Sequence, residues 1–327
     1  MVTRRSLIVI GVSLLALSSL AVTGASADHG SAGEYLTQLN DLRNAEALTE
    51  YTELDLARSQ AVVELQTAAE FDSSMDTRMH HLLNAILAFQ EAYADADENP
   101  IESVDHATEA QSHLNQLLDA GGEEYAGLGT VALERFYATQ GETLYEQAQA
   151  AESTPRRLEL LNASVRAFDG AGESERFADA QLERDQLLAE YESDMNRHDE
   201  LVGDANTYLE GCGAACEGPT DYVLSGPFGA ISEYTAAMSA HGDATEAAAI
   251  ADEHGLDGDT SEAAAIESRA FTAMVSTGVA SAILAFLYAG VFIAVAAGVI
   301  WRLSIWARDL HTSALDDIVT PLEVDDA

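Results

Sequence analysis

Lysine is missing from this chain. All 15 basic residues are arginine, they stand against 56 aspartates and glutamates, and the formal net charge is −41. No basic patch exists to neutralise phosphates, so nucleic acid is not an expected partner. Cysteine is scarce, with Cys212 and Cys216 the only two. Their spacing is not C-x-x-C and no histidine adjoins them, which disfavours a metal or redox pair. Alternating runs of β-branched residues are lacking, which removes the usual signature of paired strands. There is no G-x-S-x-G, no H-E-x-x-H, no Walker-type glycine loop and no dinucleotide fingerprint. Neither a catalytic constellation nor a cofactor is therefore expected.

Acid is what the chain has in excess. In ordinary salt so many carboxylates repel one another and oppose compaction, whereas molar salt shortens the Debye length to roughly 3 Å and screens them. The acids are dispersed and 47% of the residues are hydrophobic, which separates this chain from an acidic disordered tail. The expectation is a folded protein of a halophilic archaeon, in which acidity reflects the medium rather than a site.

Both ends carry an apolar run. Arg4 and Arg5 precede Leu7 to Val22, and Gly24-Ala25-Ser26-Ala27 then offers an A-x-A cleavage site before Asp28. Residues 1–27 therefore read as a signal peptide. Its Thr3-Arg4-Arg5-Ser6-Leu7-Ile8 resembles a twin-arginine export signal, which implies export in the folded state. Near the other end no charge occurs between Arg269 and Arg302, more than the roughly 20 residues needed to cross a bilayer. Residues 270–301 are expected to hold a single transmembrane helix, with Trp301 and Trp306 at an interface. The run exceeds the span, so Phe271 to Gly278 is expected to continue outside the bilayer or to pack against a partner. Arg302 and Arg308 place the tail, 302–327, in the cytoplasm by the positive-inside rule. Everything from Asp28 to Arg269 then faces outside. Within the span, Gly290, Ala294 and Gly298 recur every fourth residue, a spacing that lets two helix backbones approach and allows a homodimer.

Between the ends the punctuation is helical. Ser31 with Glu34, Asn99-Pro100 with Glu102, and Asp243 with Glu246 read as N-caps. Pro100 and Pro155 suit first helical positions, and stops are expected at Gly121-Gly122, Gly170 to Gly172, Gly211 and Gly255. Apolar residues recur at three and four, as in Leu82, Ile86, Phe89 and in Leu158, Leu161, Val165, Phe168. The fold class expected is all-α: an exported multi-helix bundle or short α-solenoid, about eight or nine soluble helices, plus the C-terminal anchor. Residues 28–210 form the extracytoplasmic helical domain in this reading, and 211–269 a Cys/Gly loop with membrane-proximal helices.

Three stretches, SVRAFDGAGESERFADAQLE, TAAMSAHGDATEAAAIADEHG and YATQGETLYEQAQAA, resemble the helix-turn-helix of tetratricopeptide repeats. The carriers are Ala167, Phe168, Gly172, Glu173 and Ala178, then Gly242, Asp243 and Ala247, then Gly141 and Ala148. No strict period near 34 is kept. The resemblance spans about residues 123–255 and implies a solenoid whose concave face binds a peptide or protein.

Few residues offer site chemistry. Cys212 and Cys216 in GCGAACEGP read as a local disulfide on the exported side. Glu102, His106, Glu109 and His113 share one helix stripe and could ligate a divalent ion, though they lack the Glu-x-x-His order of di-iron bundles. A solvated acidic face is the simpler reading, and no metal is assigned. His80 and His81 cannot both face one ion from a helix. Asp95, Asp97 and Asn99 imitate a calcium loop, but Pro100 and His106 stand where glycine and glutamate are needed. Asn162-Ala163-Ser164 is a glycosylation sequon with Asn162 beside the apolar face. These signals lead to a membrane-anchored, non-enzymatic protein-interaction module at the cell surface. The alternatives are an extracytoplasmic sensor or accessory subunit of a membrane complex, and less favourably a metal-dependent enzyme.

Overall fold

The computed structural model describes residues 30–212 and 226–316. Their helices are α1 (Ala32–Asp41), a 3-10 turn (Leu42–Asn44), α2 (Glu46–Glu50), α3 (Thr52–Thr67), α4 (Ser73–Asp95) and α5 (Pro100–Asp119). There follow α6 (Glu123–Ala150), α7 (Thr154–Gly170), α8 (Ser174–Cys212), α9 (Gly226–Glu253) and α10 (Asp257–Asp316). No strand occurs among the described residues, and the fold is all-α.

Local chemistry explains most of the boundaries. At α1 a full capping box forms: the Ser31 hydroxyl accepts from the Glu34 amide, and the Glu34 carboxylate accepts from the Ser31 amide at 2.6 Å. Asp72 caps α4 by accepting from the Met75 amide at 2.8 Å. Three helices stop in the same way, with a left-handed glycine at Gly121, Gly172 and Gly255. The residue after each glycine donates its amide to the carbonyl five residues back, as from Gly122 to Leu117, from Glu173 to Phe168 and from Leu256 to Ala251. Two expectations need correction. The Asn99 side chain makes no cap bond, although Pro100 does begin α5. Asp243 lies inside α9, because the helix runs on through Gly242. Gly211 stands one residue before the end of α8 at Cys212. Of the three turns implied by the repeat resemblance, the one at Gly172 is present, while Gly141 and Gly242 sit within α6 and α9.

The chain forms two compact units, one from Met1–Ala151 with Arg157–Arg184, the other from Glu152–Arg156 with Asp185–Ala327. The division falls inside α8, whose second half packs with α9 and α10.

In the first unit α4 and α5 make an antiparallel hairpin against which α6 lies. Leu82, Ile86 and Phe89 of α4 meet a core completed by Leu114, Leu117, Leu133 and Phe136. Tyr51, Phe89 and Phe136 pack edge to face with centroids 5.0 to 6.0 Å apart. Two buried polar contacts tie α1 down. Tyr35 donates to Asp76 at 2.9 Å, and the buried Arg58 guanidinium reaches the Leu39 carbonyl at 3.1 Å and Asp55 at 2.8 Å. Each leaves few polar atoms unpaired, which is what makes their burial tolerable.

The second unit is built on heptads. Ala237, Ala240, Ala244, Ala247 and Ala251 are buried on α9, and Ala263, Ile266, Ala270, Ala273, Thr277, Ala280 and Leu284 on α10. Steps of three and four are the seam of a coiled coil, and Ala205 and Leu209 of α8 complete it. Alanine at nearly every seam position lets the backbones run close. Burial on α10 ends at Leu284; from Phe286 to Trp306 the large apolar side chains are exposed. Burial of α10 within this unit thus runs past Gly278, as far as Leu284.

Glycine 141 shows how tight the α6–α7 contact is. A Cβ there would stand 2.7 Å from the Phe168 ring, and the Gly141 carbonyl accepts from Ser164 at 2.9 Å. At Gly127 of the same helix a Cβ would meet nothing within 4 Å. Alanine lowers the helix cost of glycine by about 1 kcal/mol, while overpacking a core costs about 1–3 kcal/mol. Gly127→Ala should therefore stabilise the protein by up to about 1 kcal/mol, and Gly141→Ala should destabilise it by about 1–2 kcal/mol net. Denaturant melts of the two variants check the pair of signs.

Candidate functional site

The α4–α5 hairpin holds the densest set of chemically useful side chains in the first unit. Because α4 and α5 run antiparallel, the end of α4 faces the start of α5, and the middle of α4 faces the end of α5. The stripe Glu102, His106, Glu109 and His113 is thereby divided.

At the corner, His106 of α5 is clasped by α4. Its Nε2 lies 3.3 Å from an Asp95 carboxylate oxygen and its Nδ1 lies 3.6 Å from Glu91. Glu102, exposed in the first turn of α5, joins them. Asp95, Glu102 and His106 can each offer one ligand atom, all within 4.8 Å of one another. Asp95 came into view in the sequence only as part of a failed calcium loop, and Glu91 not at all.

His113 belongs to a different group, two turns further along. Its ring centroid lies 5.9 Å from that of His81, which in turn lies 5.3 Å from His80. The Nδ1 atoms of His81 and His113 are buried without a hydrogen-bond partner, and His80 Nε2 is 3.0 Å from the Asn84 amide nitrogen. Burial pushes the His81 imidazole below its ordinary pKa, and the neighbouring His80 and His113 push it the same way. Burial likewise lowers His113, with Glu109 and a Gln116 hydrogen bond opposing and His80 adding. Glu109 is exposed and acts on His113.

In the second unit a buried imidazole joins three chain segments. His254 Nδ1 is 2.9 Å from the Thr154 hydroxyl, its Nε2 is 3.2 Å from Asp194, and Tyr191 packs edge-on at 5.1 Å. Hydroxyl, imidazole and carboxylate in line imitate a nucleophile and its base. His254 is only 4% exposed, however, and the Thr154 amide donates to the His254 carbonyl. The trio is a clasp between the start of α7 and the end of α9, closed off from substrate. It went unnoticed in the sequence because its members are 40 or more positions apart.

The remaining expected positions are dispersed. Asn162 is exposed on α7, with Arg184 at 3.4 Å. Cys212 closes α8, whereas Cys216, Arg4 and Arg5 lie outside the described residues. Gly290, Ala294 and Gly298 lie on the exposed part of α10. That helix carries the apolar stretch long enough to cross a membrane. Two open clefts flank α4, of about 640 and 630 Å³, the first lined by Glu34, Asp41 and His80, the second by Glu46, Glu50 and Asp97. Both are acidic.

The lowered histidines set a pH dependence. A folded pKa below the unfolded one means that the unfolded chain binds more protons, so stability is intact above about pH 6.5 and declines as pH falls from there toward the depressed folded values. Between pH 7.5 and pH 5.5 the melting temperature of the wild type should fall further than that of the His81→Gln/His113→Gln double variant. Equal slopes would remove the imidazoles from the balance.

Comparison with protein-family models, with curated proteins and with solved structures found no match to this chain.

Proposed function

We propose that this chain is a membrane-anchored helical interaction module of a halophilic archaeon, displayed outside the membrane and without an enzymatic step. The observation that carries the reading is the continuity of α10. One unbroken helix from Asp257 to Asp316 begins in the alanine seam of the second unit and ends in exposed apolar side chains. At a rise of 1.5 Å per residue its 60 residues extend about 90 Å, against roughly 30 Å of bilayer hydrocarbon. A bilayer tolerates no unpaired backbone, and a helix that crosses without interruption satisfies every amide within itself. The anchor is thus a rigid continuation of a packed bundle rather than a string.

Orientation follows from charge. Arg302 and Arg308 follow the apolar run, whereas Arg269 on the other flank is offset by Glu262 and Glu267. Protease added to intact cells should remove residues 28–269 and leave a C-terminal fragment containing 285–301. Full protection of 28–269 would overturn the topology.

A second reading, an accessory subunit of a membrane complex, is favoured by the small-residue face of α10. A Cβ added at Gly290 or Gly298 meets no atom of this chain within 4 Å, so a partner helix has room to approach. Crosslinking in native membranes separates the readings. Loss of a discrete partner on Ala294→Leu supports the accessory role, and an unchanged partner supports binding by the soluble part.

A further inference from the structure

We propose that Asp95, Glu102 and His106 hold one divalent transition-metal ion that pins the corner of the α4–α5 hairpin. The three ligand atoms lie within 4.8 Å of one another, a separation that an ion at about 2.0–2.2 Å from each nitrogen and oxygen can bridge after small side-chain rotations. They come from two helices, so the ion would add a crosslink at the corner of a hairpin that is already packed. The Asn99 amide already ties that loop to the Asp95 carbonyl at 2.8 Å, and Pro100 sets the start of α5. Two of the ligands therefore sit on ordered helix ends, as a site needs.

The surrounding charge favours a cation. Glu91, Asp95 and Glu102 gather around one imidazole, and none of the ion pairs formed by Arg78, Arg135, Arg157, Arg166 or Arg197 involves them. Glu91 stands at Nδ1 while Nε2 faces Asp95. At 3.6 Å the Glu91 carboxylate is an outer neighbour of the ring rather than a hydrogen-bond partner, and it adds negative charge beside the site. One imidazole with two carboxylates suits zinc or manganese better than calcium or magnesium, which prefer all-oxygen cages. Three protein ligands leave a coordination position for water. With Glu102 exposed and His106 half-buried, the ion can exchange with the medium.

Zinc alone is the probe. The full chain, solubilised in detergent at molar salt and stripped with a chelator, is titrated by calorimetry, and bound zinc is counted after gel filtration. One equivalent per chain is expected, with at least a tenfold loss of affinity in His106→Ala and in Glu102→Gln and none in His113→Ala. Glu102 is exposed, so its variant keeps the test readable if His106→Ala fails to fold, and circular dichroism verifies both. Zinc should also raise the melting temperature of the wild type and leave that of Glu102→Gln unmoved. The site is overturned by absence of stoichiometric zinc, by binding that survives His106→Ala, or by calcium binding with equal affinity, which would make the corner a general counter-ion patch.

Discussion

Helices in this protein meet through small side chains, and much else follows from that constraint. Alanine provides most of the seam in the second unit and a large share of the buried positions in α3 to α7. Each alanine buries little apolar area, so stabilisation at about 25 cal/mol per Å² must come from long, close contacts rather than from a few large residues. Long helices with short Schellman-type turns provide that contact length. Glycine is used where even alanine is too large, as where Gly141 meets the Phe168 ring and Gly170 meets Tyr137.

Close helices also dictate where charge can go. With only arginine as a fixed cation, the chain places Arg58 in the core of the first unit on a carbonyl and a carboxylate, and uses Arg78, Arg135 and Arg157 to join helices through Glu64, Glu53 and Glu183. A planar guanidinium fits such bidentate and mixed contacts where an ammonium would not. Most carboxylates are left to solvent, and at the hairpin corner three of them converge on a single imidazole. Two turns away the same pair of helices gathers three half-buried imidazoles, and the Nδ1 atoms of His81 and His113 find no hydrogen-bond partner. One supersecondary unit thus presents a corner suited to a metal ion and a middle in which His81 and His113 resist protonation.

The membrane-seeking helix is inseparable from the bundle that precedes it. Its heptads bury Ala263 through Leu284, and the periodic burial stops without any break in the helix. The clasp at His254 closes the turn between α9 and α10 with Gly255 in a left-handed conformation, where a Cβ would come within 3.0 Å of the Ser153 backbone.

The sequence by itself determined the helical class, the capping box at Ser31, the glycine stops at 121, 172 and 255, and the apolar segment before Trp301. These depend on side chains within a few residues of one another, or on an uninterrupted run, so spacing along the chain carries them. The alanine heptads were not read from the sequence, because alanine is so frequent here that a seam of it does not stand out from the background. Only the tertiary structure decided that Asp243 and Gly242 continue a helix, since a tolerated breaker and a real one look alike until neighbours pack on it. It alone decided the fate of the Glu102–His113 stripe. One helix face supplies candidates at intervals of three and four, but which of them meet depends on the facing helix, and α4 brings Asp95 and Glu91 to His106 while giving His80 and His81 to His113.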